Sequence, residues 1–211
     1  MQAPAELARL REELAPHWER LIPACTGDVM HAVRRAIEVQ TVFSILDYGC
    51  QVGYFCRFIK RYLPDARIEG VDVSPSMVAR ARQNCPDGTF YVGVQNNWGP
   101  SRFDVIVSKD VLNYLPDIPG VMQRFHYLLR PRGTILIALR ELKRGVTEQV
   151  VNALNSLLYS VSFERLPWQP PREQLDAIDA VLKEIPPAHR SWVHDRNHTP
   201  GDYCIITARR D

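Results

Sequence analysis

Apolar positions along the chain alternate between two periods. Val42, Phe43, Ile45 and Leu46 form a short apolar run that suits a buried parallel strand, whereas Phe55, Phe58, Ile59 and Tyr62 recur at helical spacing until Leu63 meets Pro64. Asp47, Tyr48, Gly49, Cys50, Gln51, Val52 and Gly53 lie between them, so a strand feeds a helix through a glycine-spaced loop. Residues 68–73 read as a second short strand ending on Asp72, and Ser74-Pro75 supplies an N-cap with proline at the first helical position. Residues 103–108 and 134–139 are further strand-like runs, joined by a helical face of Val121, Phe125, Leu128 and Leu129. Residues 203–208 read as the last strand. This alternation predicts an α/β fold.

The flanks carry helical patterns of their own. Leu7, Leu10, Leu14, Trp18 and Leu21 follow one helix, and Asp28 caps a second through Val29, Val33, Ala36 and Ile37. Residues 1–41 are therefore expected as a helical cap, which either closes a substrate pocket or covers one sheet face. In residues 141–190, Thr147 precedes Val150, Val151, Leu154, Leu157 and Leu158, while Pro170-Pro171 precedes Leu175, Ile178, Leu182 and Ile185. That stretch reads as a helical insertion or lid within one domain whose core spans 42–140. The sixth strand is expected near residues 191–196, forming a C-terminal hairpin over 191–211 across Thr199-Pro200-Gly201-Asp202, with the extended segment 161–168 as the other candidate for strand six or lid.

Glycine lets a backbone approach a ligand without a Cβ in the way, and a helix start offers unpaired N–H groups to polar atoms. A dinucleotide fingerprint would need glycines at 49, 51 and 54, and the chain has Gly49, Gln51 and Tyr54. Asp47, Gly49 and Gly53 instead resemble the first motif of the class I S-adenosylmethionine-dependent methyltransferases, with Gln51 at the middle glycine. The likeness continues through Asp72, through residues 103–115, and through Leu128-Leu129-Arg130-Pro131-Arg132-Gly133, where Arg132 stands for the first glycine of a Pro-Gly-Gly turn. It is close over residues 42–140 and looser at the last strand.

The resemblance implies a doubly wound seven-stranded α/β sheet, mostly parallel with an antiparallel last strand, helices on both faces and an N-terminal helical cap. It also implies S-adenosyl-L-methionine as cofactor and a small-molecule methyl acceptor. The loop at Asp47, Gly49, Cys50, Gln51 and Gly53 would hold the methionine end, Asp72 the ribose, and Met77 would pack on the adenine, with Val73 and Ser108 on the same side. Val94 aligns with the acid that often binds the adenine amine, so Gln95, Asn96 or a backbone carbonyl would substitute. Lys109, Asp110 and Tyr114 would face the acceptor, Asp110 accepting a proton and Lys109 steadying an oxyanion. His17 is a further catalytic candidate, although its place beside Leu14 and Leu21 also suits a boundary histidine.

A net charge of +2 on 211 residues argues against a nucleic-acid partner, and Arg34-Arg35, Arg57-Lys60-Arg61 and Arg209-Arg210 read as solvated clusters. Lack of a leader-like or bilayer-length apolar run predicts a cytoplasmic, non-membrane protein and leaves a homo-oligomer open. Cys25, Cys50, Cys56, Cys85 and Cys204 lack paired metal spacing and are expected as reduced thiols. His194 and His198 stand four apart, yet Pro200-Gly201 marks a turn and a third ligand is missing, so metal is not expected. Two rivals remain: a non-catalytic interaction module that keeps the fold, suggested by Gln51, Val94 and Arg132, and a nucleotide-dependent oxidoreductase, which the glycine spacing disfavours.

Overall fold

The computed structural model describes residues 5–18, 30, 31, 34, 35, 37, 42–93, 95, 97–140, 145–168, 172–184, 187 and 201–210. Seven strands, β1 (Ser44–Tyr48), β2 (Arg67–Asp72), β3 (Thr89–Val92), β4 (Phe103–Lys109), β5 (Leu129–Arg140), β6 (Tyr159–Trp168) and β7 (Gly201–Arg210), form one sheet in the order β3-β2-β1-β4-β5-β7-β6. β1 to β5 pair in parallel, and β7 runs antiparallel to both β5 and β6. The helices are α1 (Ala5–Leu14), α2 (Tyr54–Lys60), α3 (Pro75–Asn84), α4 (Ile118–Leu128), α5 (Val146–Ser156) and α6 (Arg172–Glu184). The doubly wound sheet with its antiparallel last strand is the architecture that the motif order implied.

Each central strand splits its side chains between two cores, because successive residues point to opposite faces. Leu46, Ile106, Ile135, Ile137 and Leu139 join one core with α4 and α5, whereas Ile45, Val105, Val107 and Leu136 join the other with α2 and α3. Near-continuous apolar runs follow from burial on both faces. β1 is accordingly buried at all five positions. A third, smaller cluster holds Leu14, Ala15 and Trp18 from the N-terminal segment against Val52, Met77, Ile178 and Val181.

The caps are local and readable. Ser74 Oγ accepts from the Met77 N–H to start α3, and Asp117 accepts from the Gly120 N–H to start α4. The sixth strand differs from expectation. β6 is Tyr159–Trp168, and β7 has β5 on one edge and β6 on the other, so neither hydrogen-bonding edge is left for a strand near residues 191–196. Those residues, with Cys25, Val94, Asn96, His194 and His198, lie outside the described residues.

Candidate active site

Sheet order reverses between β1 and β4, and in open α/β sheets ligands bind outside the carboxyl ends of the strands at such a switch point. The glycine loop leaves β1 here. Gly49 and Cys50 both donate to Val71 O, at 2.8 and 2.9 Å, which ties the loop to the end of β2. Gly49 has φ +87°, and a Cβ there would lie 2.1 Å from Val111 Cγ2, so both conformation and packing demand glycine. Gly53 takes φ +73° at the N-cap of α2.

Gln51 also lies in the left-handed region, at φ 52°. Its backbone N–H donates to Asp72 Oδ2 at 3.0 Å, and its side-chain Oε1 accepts from Trp18 Nε1 at 2.8 Å. Arg132, where the resemblance calls for the first glycine of the Pro-Gly-Gly turn, likewise has φ 63°. The two departures from the motif therefore keep the backbone that glycine would adopt and carry its strain.

Asp72 is 3% exposed and already well supplied with donors. Its Oδ1 accepts from the Ser74 N–H at 3.0 Å, and its Oδ2 accepts from Gln51 and from Arg11 Nη1 at 3.1 Å. Arg11, only 2% exposed, escaped sequence reasoning. It lies four residues after Leu7, three before Leu14 and seven before Trp18, so a charge stands on the apolar stripe of its helix. That is the signal that could have found it. Glu12 beside it accepts from Ser74 Oγ, Ser76 Oγ and the Ser76 N–H. Partial burial raises the Glu12 pKa, but these hydrogen bonds outweigh it and hold the pKa below the ordinary carboxylate value.

Asp47 is buried at the end of β1 and accepts from Cys56 Sγ at 3.2 Å. Burial pushes its pKa up to about 7; the Cys56 bond opposes this, Asp72 adds to it, and Lys109 opposes it. Burial, reinforced by Asp47, also raises the Cys50 and Cys56 thiols well above their ordinary value, which suits packing rather than nucleophilic chemistry. A cavity of about 30 Å³ opens beside Asp47, Gly49, Gln51, Tyr54, Phe55 and Lys109.

On the acceptor side, Lys109 Nζ meets Asp110 Oδ2 at 2.5 Å, and Tyr203 Oη donates to the same oxygen at 2.8 Å. Asp110 thus joins its neighbour on β4 to β7. Tyr203 lies 93 residues away in sequence, and nothing local could have announced it. Tyr114 faces Arg11, whose Cζ lies 6.0 Å from the ring centroid. His17 pairs with Glu184 of α6 at 3.5 Å rather than with this cluster. Ser108 Oγ donates to Tyr48 O, Val73 is half-buried, and Gln95 Nε2 donates to Gly93 O, turning its amide back toward its own loop. Met77 is fully buried beneath Leu14 and Trp18. The N-terminal helix thus covers the residues expected to hold adenosine.

A methyltransferase domain family model matches residues 2–179. The chain belongs to this family. A trans-aconitate 2-methyltransferase from Escherichia coli O1:K1 / APEC is 32% identical over 104 residues, which cover 49% of this chain and 41% of that protein. The chain therefore matches less than half the length of that relative. The [4+2]-cyclase SpnF has a similar crystal structure, with a TM-score of 0.76 at 15% identity, covering 97% of this chain and 94% of that one. A Haemonchus contortus phosphoethanolamine N-methyltransferase 2 in complex with S-adenosyl-L-methionine gives a TM-score of 0.66 at 16% identity, over 87% and 52% of the two chains. At such identities the likeness shows the fold. Among the described residues of this methyltransferase-family chain, no helix is long and apolar enough to cross a membrane, and no cluster of His, Cys, Asp and Glu is arranged to hold a metal.

Proposed function

We propose that this chain transfers the methyl group of S-adenosyl-L-methionine to an oxygen, nitrogen or carbon of a small molecule. One observation carries the reading: the glycine loop and the strand-end acid converge, with the Gln51 N–H 3.0 Å from Asp72 Oδ2 at the switch point of the sheet. A buried carboxylate beside a loop with glycines at 49 and 53 suits a ribose diol next to a close-packed methionine chain. In this reading Asp72 takes the ribose hydroxyls, Gly49 and Gly53 let the chain pass close to the methionine end, and Asp47 offers a counter-charge to its cationic groups. When bound, the cofactor would supply an activated methyl for an electron pair of the acceptor, leaving a neutral thioether and releasing a proton where the acceptor carried one.

The protein's own task is orientation and the exclusion of water. Asp110, held by Lys109 and Tyr203, positions those two side chains at the acceptor side, and its own proton-accepting capacity is largely taken up by them. The name of the E. coli relative makes a small carboxylic acid the first acceptor class to try, with trans-aconitate its first member. The cyclase neighbour is a reminder that one fold serves several reactions, so the assay must detect the methylated product itself.

Calorimetry with S-adenosylmethionine, its demethylated product S-adenosylhomocysteine, and NAD tests the cofactor. Binding of the first two and not of NAD is expected, with Asp72→Asn weakening it by about 1.5 to 3 kcal/mol, as for a hydrogen bond to a charged group. Equal affinity in the variant would remove Asp72 from the site. Incubation with methyl-labelled cofactor and a panel of carboxylic acids, followed by mass spectrometry, tests the acceptor; label confined to uncharged acceptors would reject the anionic class.

A further inference from the structure

The N-terminal helix engages the parts of the cofactor-binding machinery assigned above to ribose, adenine and loop. Arg11 Nη1 occupies Asp72 Oδ2 at 3.1 Å, Glu12 clasps Ser74 and Ser76 at the start of α3, and Trp18 Nε1 holds Gln51 Oε1 at 2.8 Å. Leu14, Ala15 and Trp18, with Ile178 and Val181 of α6, share a cluster with Met77 and Val52, both fully buried. Among the described residues, a small cavity of about 30 Å³ remains beside the loop, lined by Asp47, Gly49, Gln51 and Lys109. Among the described residues, Arg11 Nε is buried with no hydrogen-bond partner, and Asp72 supplies the carboxylate that pairs with the guanidinium.

We propose that the segment from Ala5 to Trp18 is an autoinhibitory latch that competes with adenosine for Asp72 and Met77. The inference rests on the cofactor reading of Asp72. A ribose hydroxyl that donates to Asp72 Oδ2 must displace Arg11, and because the carboxylate makes both bonds charge-assisted, the hydroxyl gains no strength over the guanidinium it replaces. An adenine ring must lie against the Met77 surface that Leu14 and Trp18 cover. The cofactor therefore enters only after α1 lifts, and its observed affinity is the intrinsic affinity reduced by the fraction of molecules with the latch open. Any partner or acceptor that holds α1 elsewhere activates the site.

The test uses the full chain and S-adenosylhomocysteine. Arg11→Met keeps the apolar stem and removes the cation; affinity is expected to rise about tenfold, as for a latch open one tenth of the time, mainly through faster association. Glu12→Gln should act in the same direction. Unchanged or weaker binding by Arg11→Met overturns the latch. Hydrogen exchange on the unaltered protein decides independently, even if a variant folds poorly: amides of residues 5–18 should lose protection when S-adenosylhomocysteine binds, and a gain of protection would mean that α1 closes over the cofactor instead. Failure of both the unaltered chain and Arg11→Met to bind overturns the cofactor reading and the latch together. Binding that Asp72→Asn weakens and Arg11→Met leaves alone overturns the latch only.

Discussion

Cutting the Asp72 side chain back to a methyl group leaves Arg11 as a buried cation without its counter-charge, a situation that costs about 3 to 5 kcal/mol when the surroundings cannot relax. Because α1 can lift away, Asp72→Ala is expected near the low end, about 3 kcal/mol in urea unfolding. Arg11→Met in the same chain should recover most of the stability and none of the cofactor binding; no recovery would mean that Asp72 is needed for its bonds to Gln51 and Ser74 instead. At Gln51 two effects oppose each other. Glycine would relieve a left-handed side-chain cost of about 1 to 2 kcal/mol, while losing the Trp18 bond costs about 0.5 to 1.5 kcal/mol. Gln51→Gly should leave stability within about 1 kcal/mol of the parent yet bind S-adenosylhomocysteine more tightly, since one tether of α1 is gone. Weaker binding would show that the amide reaches the ligand. Asp47 sets a pH dependence. Its folded pKa, about 7, lies above the unfolded value of 3.8, so the folded state holds the extra proton between them and this group's contribution to stability falls as pH rises from about 4 to 7. A cationic cofactor favours the ionised form, so S-adenosylmethionine affinity should rise about tenfold from pH 6 to pH 8, and Asp47→Asn should flatten that rise in calorimetry.

Elements with a local cause were legible in the sequence. The Ser74 cap, the runs that became β1, β2 and β4, and the helical faces of α2 and α4 needed only neighbours within a few residues. Removing the cap by Ser74→Ala should cost about 1 kcal/mol, and more here than at an isolated helix because Glu12 of α1 also loses its hydroxyl partner. A thermal melt unchanged from the parent would show that Ser76 alone suffices for Glu12. Where partners lie far apart in sequence, the pattern was silent. Residues 161–168 contain Ser162, Glu164 and Pro167 among apolar positions, a mixture that suits an edge strand or a loop equally, and only pairing with β7 made it β6. Within the site, the loop and Asp72 were readable because the fold places them by order along the chain. Arg11, Trp18 and Tyr203 were not assigned to it, since they reach it through contacts spanning 61, 33 and 93 residues.

Across the whole molecule, two large cores lie on the two faces of the sheet; Leu14, Ala15 and Trp18 pack in the small third cluster, whereas Met30 and Ile37 belong to one of the large cores. Deleting residues 1–18 should therefore leave the sheet folded, with a near-native circular dichroism spectrum, while exposing Met77 and Val52; loss of cooperative unfolding would show instead that the cap completes the core. β7 has a different kind of importance. It is the strand latest in sequence, yet it lies inside the sheet, between β5 and β6. On the ribosome, β6 emerges before the only described strand that links it to the sheet, and its hydrogen-bonding edge must wait until residues 201–210 arrive to bridge it to β5. Translation order and sheet order disagree at this point, so the pairing of β6 to the sheet closes only once residues 201–210 are made, and a pause or frameshift before Gly201 leaves an open edge on β5.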